Sequence, residues 1–211
     1  MEKALFGAGC FWGVEDFFRQ VPGVSEAVSG YAGGTTDNPT YRQVCAGDSY
    51  HAEVVEVTFD PSKVSYETLV DLFFRMHNPT TRNRQGPDVG TQYRSVIFTH
   101  GPEQERIAKL VRDRVAASGK WKTPVVTQIE PAPAFWKAEE HHQRYFEKHG
   151  GHCHVSYAEL TETAALLETA RHATEKYKDV RRAEADGYKG YRSRCSRHGN
   201  SFRRSPWRLE L

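Results

Sequence analysis

Apolar positions recur along the chain at two spacings, and the changes between them mark out the elements. Val14, Phe17, Phe18 and Val21 fall at i, i+3, i+4 and i+7, the stripe of a helix that faces a core, and Pro22-Gly23 supplies its stop. Over residues 51–59 the spacing drops to two. Glu53, Val55, Val57 and Phe59 share one face of that strand, and Ala52, Val54, Glu56 and Thr58 share the other. Shorter apolar runs predict strands over residues 3–6, 24–31, 94–99 and 125–129, the last broken by Pro131 and Pro133. Ser65 is a good N-cap for a helix with the stripe Leu69, Leu72, Phe73 and Met76. Pro102 suits a first helical turn, with Glu103 and Glu105 at the positive dipole end and Ile107, Leu110, Val111 and Val115 as the buried stripe. A polar helix is expected over 137–149, closed by Gly150-Gly151, and another over 158–177 on Leu160, Ala164 and Leu167. Residues 41–50 read as irregular. Residues 78–93, with two prolines and two glycines, read as a long loop of functional type.

This order predicts an α/β chain of the α+β kind: a two-layer sandwich of split βαβ (ferredoxin-like) type, with helices against a mixed sheet. Residues 1–156 form the domain in this reading, and residues 157–211 a helical extension with a basic tail. Composition agrees with one well-filled core: 211 residues, 38% hydrophobic and 27% charged. No run approaches the roughly 18 apolar residues of a membrane span, and no basic region followed by an apolar one opens the chain. A cytoplasmic monomer without membrane attachment is therefore expected. Residues 178–211 carry ten Lys/Arg against four Asp/Glu in a chain whose net charge is +2, so any nucleic-acid contact must come from the tail. Lacking periodicity, the tail reads as a solvated segment before it reads as an RNA-binding arm.

Candidate chemistry centres on Gly9-Cys10-Phe11-Trp12-Gly13. The glycines after the first strand let the chain turn sharply, so Cys10 falls at or near the start of the first helix. Unpaired amides and the positive dipole end there favour the reactive thiolate. Glu53 lies on the apolar face of its strand, where burial disfavours the charged form and suits a general acid. Tyr41 and Tyr93 border loops next to these elements and can offer hydroxyls to a substrate oxygen, while Phe11 and Trp12 can wall a small apolar pocket. The four cysteines, at positions 10, 45, 153 and 195, form no C-x-x-C pair, which argues against a disulfide scaffold or a zinc site. Cys153, within Gly150-Gly151-His152-Cys153-His154, has the flexible setting a thiol needs to reach another sulfur; a metal site of His149, His152, Cys153 and His154 is the competing reading. Cys45 reads as core packing. Cys195, among Arg192, Arg194 and Arg197, reads as a second relay thiol or an exposed cysteine.

Taken together, Gly9 to Gly13, Asn38-Pro39-Thr40-Tyr41, His51-Ala52-Glu53 and Asp88 with Gly90 to Ser95 resemble the peptide methionine sulfoxide reductase A family from about Leu5 to Val155. The resemblance implies reduction of the S epimer of methionine sulfoxide, free or in proteins, with no metal or organic cofactor. It makes Cys10 the nucleophile on the sulfoxide sulfur and Glu53 the acid at the oxygen, assisted by Tyr41 and Tyr93. Phe11 and Trp12 hold the methyl group, and Asp88 contacts the substrate backbone or orders water. Cys153 then resolves the Cys10 sulfenic acid into a disulfide that a thioredoxin-like reductant reopens. No family motif is recognised from about Tyr157 onward. The rival readings are a thiol peroxidase or cysteine hydrolase using Cys10 with a histidine such as His51, and RNA or acidic-protein binding through the tail.

Overall fold

The computed structural model describes residues 1–151 and 154–157. Strand β1 (Glu2–Ala8) is nearly continuous in apolar residues after its first two because it lies inside the sheet. It pairs antiparallel with β3 (Ala52–Phe59) and, on its other side, with β6 (Ser95–Thr99). β2 (Val24–Ala32) pairs antiparallel with β3, which sets Tyr31 opposite Glu53, and β8 (Phe135–Lys137) adds antiparallel to β2. β7 (Gln128–Pro131) joins β6 in parallel, giving a mixed sheet in the order β7-β6-β1-β3-β2-β8. Pro131 lacks an amide donor and is tolerated because β7 is an edge.

Helices α1 (Phe11–Arg19) and α3 (Tyr66–Met76) bury the stripes read from the sequence: Val14, Phe17 and Phe18 in one, Leu69, Leu72, Phe73 and Met76 in the other. With Phe6, Val55, Val57 and Phe59 they form the main core, where the Phe6 ring stacks on Phe18 and Phe73 at 5.0 and 5.4 Å. Leu5, Ala52, Val54, Val96 and Phe98 form a smaller cluster. The start of β3 is therefore covered on both sides, which is why Glu53 at 1% exposure is as buried as its apolar neighbours.

Four expectations need correction. Residues 41–50 contain a helix, α2 (Tyr41–Ala46), started by a capping box in which Thr40 and Gln43 satisfy each other's backbone amides. Residues 78–93 are built rather than structureless: β4 (Arg84–Gln85) and β5 (Asp88–Val89) make a hairpin, followed by a 3-10 turn over Thr91–Tyr93. Gln85 fastens this segment, accepting from Asn78 N at 3.0 Å and donating to Asn78 O at 2.9 Å. Helix α4 (Pro102–Ala117) buries Ala108 and Val111, whereas Leu110 is 50% exposed. Within 137–149 the only helix is α5 (Tyr145–His149); before it Ala138, His142 and Gln143 turn inward, where Gln143 bonds both backbone groups of Ser29, and the Arg144 amide bonds Glu15. The helix expected over 158–177 and the basic tail lie outside the described residues.

Buried polar groups also set the acid limit of the fold. His77 Nδ1 donates to Phe73 O at 2.6 Å, so Nε2 accepts from Ser95 Oγ at 2.8 Å, and Ser95 in turn accepts from Thr127. Burial pushes His77 down to about 3, with the Phe73 carbonyl opposing and His154 adding to the shift. The unfolded chain protonates this histidine near pH 6.5 and the folded one does not, so stability is lost as pH falls from 6.5 towards 3. Urea titrations of wild type should show a loss of about 1.4 kcal/mol per pH unit over that window that His77→Gln does not show. Equal slopes in the two proteins would contradict this account.

Candidate active site

The chain passes from β1 into α1 through Gly9, whose φ of +94° is open to glycine, and a Cβ there would meet Gln85 and His154 atoms at 2.7 Å. That turn delivers Cys10 as the N-cap of α1, half-buried, with no side-chain cap bond to the helix amides. A negative charge on its Sγ is favoured by the dipole end beside it. Glu53 reaches the same helix end from β3: its Oε2 accepts from the Phe11 amide at 3.0 Å. One orphan amide of the helix is thus satisfied by the carboxyl, and Cys10 and Glu53 meet at one helix terminus, as the strand pattern alone did not reveal.

Tyr41 and Tyr93 converge on the same group. Burial pushes the Tyr41 hydroxyl far above its ordinary range, helped by its bond to Cys45 and by Glu53. Burial likewise raises Tyr93, with Glu53, Asp88, Cys45 and Cys10 adding to it. Both hydroxyls therefore remain protonated donors, and Asp88 stands within electrostatic reach of Tyr93. Cys45 does not pack in the core: α2 buries only Val44, and Cys45 is exposed on it beside the Tyr41 hydroxyl.

Phe11 is fully buried, its ring 5.7 Å from Tyr31 and 5.3 Å from His142. Trp12 is half-buried and lies flat on Tyr145 at 3.7 Å. Four residues of this neighbourhood escaped the sequence reading: Tyr31, Glu139, His142 and Tyr145. Glu139 accepts from the Tyr41 amide at 2.8 Å and from the Tyr31 hydroxyl at 2.9 Å, tying α2 to β2. Burial pushes Glu139 up, but those donors outweigh it and hold the carboxyl below the usual range. The signal was weak, since a run of Glu, His and Gln reads as an outward helix face.

His51 is no base for Cys10. Its Nδ1 accepts from the Gly34 amide at 3.1 Å and its Nε2 donates to Thr36 O at 2.7 Å, so both nitrogens are spent on one loop. Cys153 and Cys195 lie outside the described residues. His154, next to Cys153 in sequence, donates from Nε2 to Ala8 O at 2.8 Å. Among the described residues no group of three or more His, Cys, Asp or Glu is arranged to hold a metal ion.

A family model described as peptide methionine sulfoxide reductase matches residues 2–176, beyond the motifs that end near Val155. The curated peptide methionine sulfoxide reductase MsrA of Methanoculleus marisnigri is 61% identical over 151 residues, covering 72% of this chain and 92% of that one. Among solved structures, reduced Mxr1 from Saccharomyces cerevisiae superposes with a TM-score of 0.68 at 37% identity, covering 72% of this chain and 88% of that one. Methionine sulfoxide reductase A of Corynebacterium diphtheriae superposes with a TM-score of 0.64 at 40% identity, covering 72% and 77%. These likenesses support a mixed α/β fold of helices on a mixed sheet.

Proposed function

The chain belongs to the peptide methionine sulfoxide reductase family, and on that premise we propose a role for each residue gathered around Cys10. The protein is an oxidoreductase that reduces the S epimer of methionine sulfoxide to methionine. In our reading the Cys10 thiolate attacks the sulfoxide sulfur while Glu53 gives its proton to the oxygen, with the Tyr41 and Tyr93 hydroxyls donating to that oxygen. A sulfoxide oxygen leaves poorly until protonated, and the Glu53 carboxyl, at 1% exposure beside Cys10, is the acid placed to give it a proton away from water. Oxygen passes to Cys10, which becomes a sulfenic acid as methionine departs, so the substrate sulfur gains the two electrons that Cys10 loses. Phe11 and Trp12 form the methyl pocket, and Asp88 contacts the substrate backbone or orders water.

Cys153 then attacks the sulfenic sulfur, releasing water and leaving a Cys10–Cys153 disulfide, which a thioredoxin-like dithiol reduces. The His154 bond to Ala8, two residues before Cys10, supports this pairing. In this reading Cys195, outside the described residues, is a second relay thiol. We further assign the β6-β1-β3-β2 antiparallel set to the split βαβ, ferredoxin-like class, the catalytic domain to residues 1–156 and the extension to residues 157–211. A cytoplasmic monomer completes the reading; among the described residues no helix is long and apolar enough to cross a membrane.

The observation that carries the assignment is the Glu53 carboxyl on the Phe11 amide, adjacent to Cys10. Each epimer of methionine sulfoxide offered with dithiothreitol tests it: the S epimer is consumed and the R epimer is not. Peroxide consumption without any sulfoxide reduction would instead identify a thiol peroxidase.

A further inference from the structure

Trp12 is held on two sides. Its indole lies on Tyr145 with the ring planes within 5°, and its Nε1–H donates to His142 Nδ1 at 3.0 Å. An indole nitrogen only donates, so Nδ1 of His142 carries no proton and Nε2 does, which makes this imidazole neutral and of one tautomer. His142 is 2% exposed and packs at 5.3 Å on Phe11 and 4.4 Å on Tyr41. No partner among the described residues accepts from its Nε2. A buried donor left unmet is unfavourable, and a phenylalanine would fill this space without it. Packing therefore does not account for a histidine here; the acceptor on Nδ1 does.

We propose that His142 is a positioning residue that sets substrate specificity: by accepting from Trp12 it fixes the indole edge and so the width of the pocket, admitting an S-methyl group and discriminating against larger S-alkyl groups. This rests on the reading of Phe11 and Trp12 as the methyl pocket. Without the hydrogen bond the indole still stacks on Tyr145 but is free to slide in the ring plane, so the methyl contact loosens and a longer alkyl group gains room. The chemistry at Cys10 and Glu53 does not pass through His142, so the effect falls on binding.

The test measures kcat and KM for the S epimers of methionine sulfoxide and ethionine sulfoxide with dithiothreitol as reductant. For His142→Phe, KM for the methyl substrate should rise about five- to tenfold, with kcat within about twofold of wild type, and the methyl-over-ethyl preference in kcat/KM should fall by a similar factor. His142→Asn places Oδ1 where Nδ1 stood and should restore most of the preference. An unchanged preference in His142→Phe, or an asparagine variant no better than the phenylalanine one, overturns the proposal. Trp12→Phe separates the two readings. If it too leaves the preference unchanged, the methyl pocket itself is wrongly assigned; if it alone shifts the preference, only the role of His142 fails. Should His142→Phe not fold, ¹⁵N NMR of the wild-type imidazole decides instead, and a protonated Nδ1 overturns the proposal.

Discussion

Cys10→Ser should lower sulfoxide reduction by on the order of 10⁴-fold or more while leaving the protein at least as stable as wild type. A serine hydroxyl at a helix start stays un-ionised near neutral pH, and serine has no sulfur to take up the sulfoxide oxygen as a sulfenic acid, so both attack and recycling are lost. Stability moves the other way because Cys10 occupies the N-cap of α1 without a side-chain bond to the helix amides, and serine is a strongly preferred N-cap. A gain of a few tenths to about 1 kcal/mol is expected in urea titration. Loss of activity with retained stability separates a nucleophile from a packing thiol, which would lose stability first. The companion variant Cys153→Ser should release one equivalent of methionine and then stall with thioredoxin as reductant. Undiminished thioredoxin-driven turnover in that variant would assign resolution to another thiol.

The parts of this site that were legible in the sequence are those whose geometry is local. β3 announces itself because alternation and burial coincide over Val55 to Phe59, and the same alternation put Glu53 on an apolar face. Cys10 at a helix start followed from Gly9 and the stripe of Val14, Phe17 and Phe18. Helix α2 was missed: the Thr40 and Gln43 spacing of a capping box stood there to find it, but six residues with only Val44 buried leave no stripe to read. What no local pattern carries is the segment after β8. Glu139, His142 and Gln143 are polar residues turned into the protein to satisfy Tyr41, Trp12 and Ser29, and their partners lie about a hundred residues or more away in sequence. A helix predicted there follows from polarity alone. The same long-range bonding makes His142 and Glu139 visible only once the fold is known.

Glu53→Gln should cut kcat by about 10²- to 10⁴-fold with little change in KM or stability. The substitution isolates the proton from everything else the carboxyl does. Glutamine keeps the shape, and its Oε1 can accept the Phe11 amide as Glu53 Oε2 does at 3.0 Å, so the cap on α1 and the position of Cys10 persist. It has no acidic proton to give the departing oxygen. Tyr41 and Tyr93 remain as neutral hydrogen-bond donors, held protonated first by burial, and they set the residual rate. Single-turnover release of methionine, measured in both proteins, checks the assignment at the chemical step. A variant within about tenfold of wild type would show that the hydroxyls, and not the carboxyl, carry the proton.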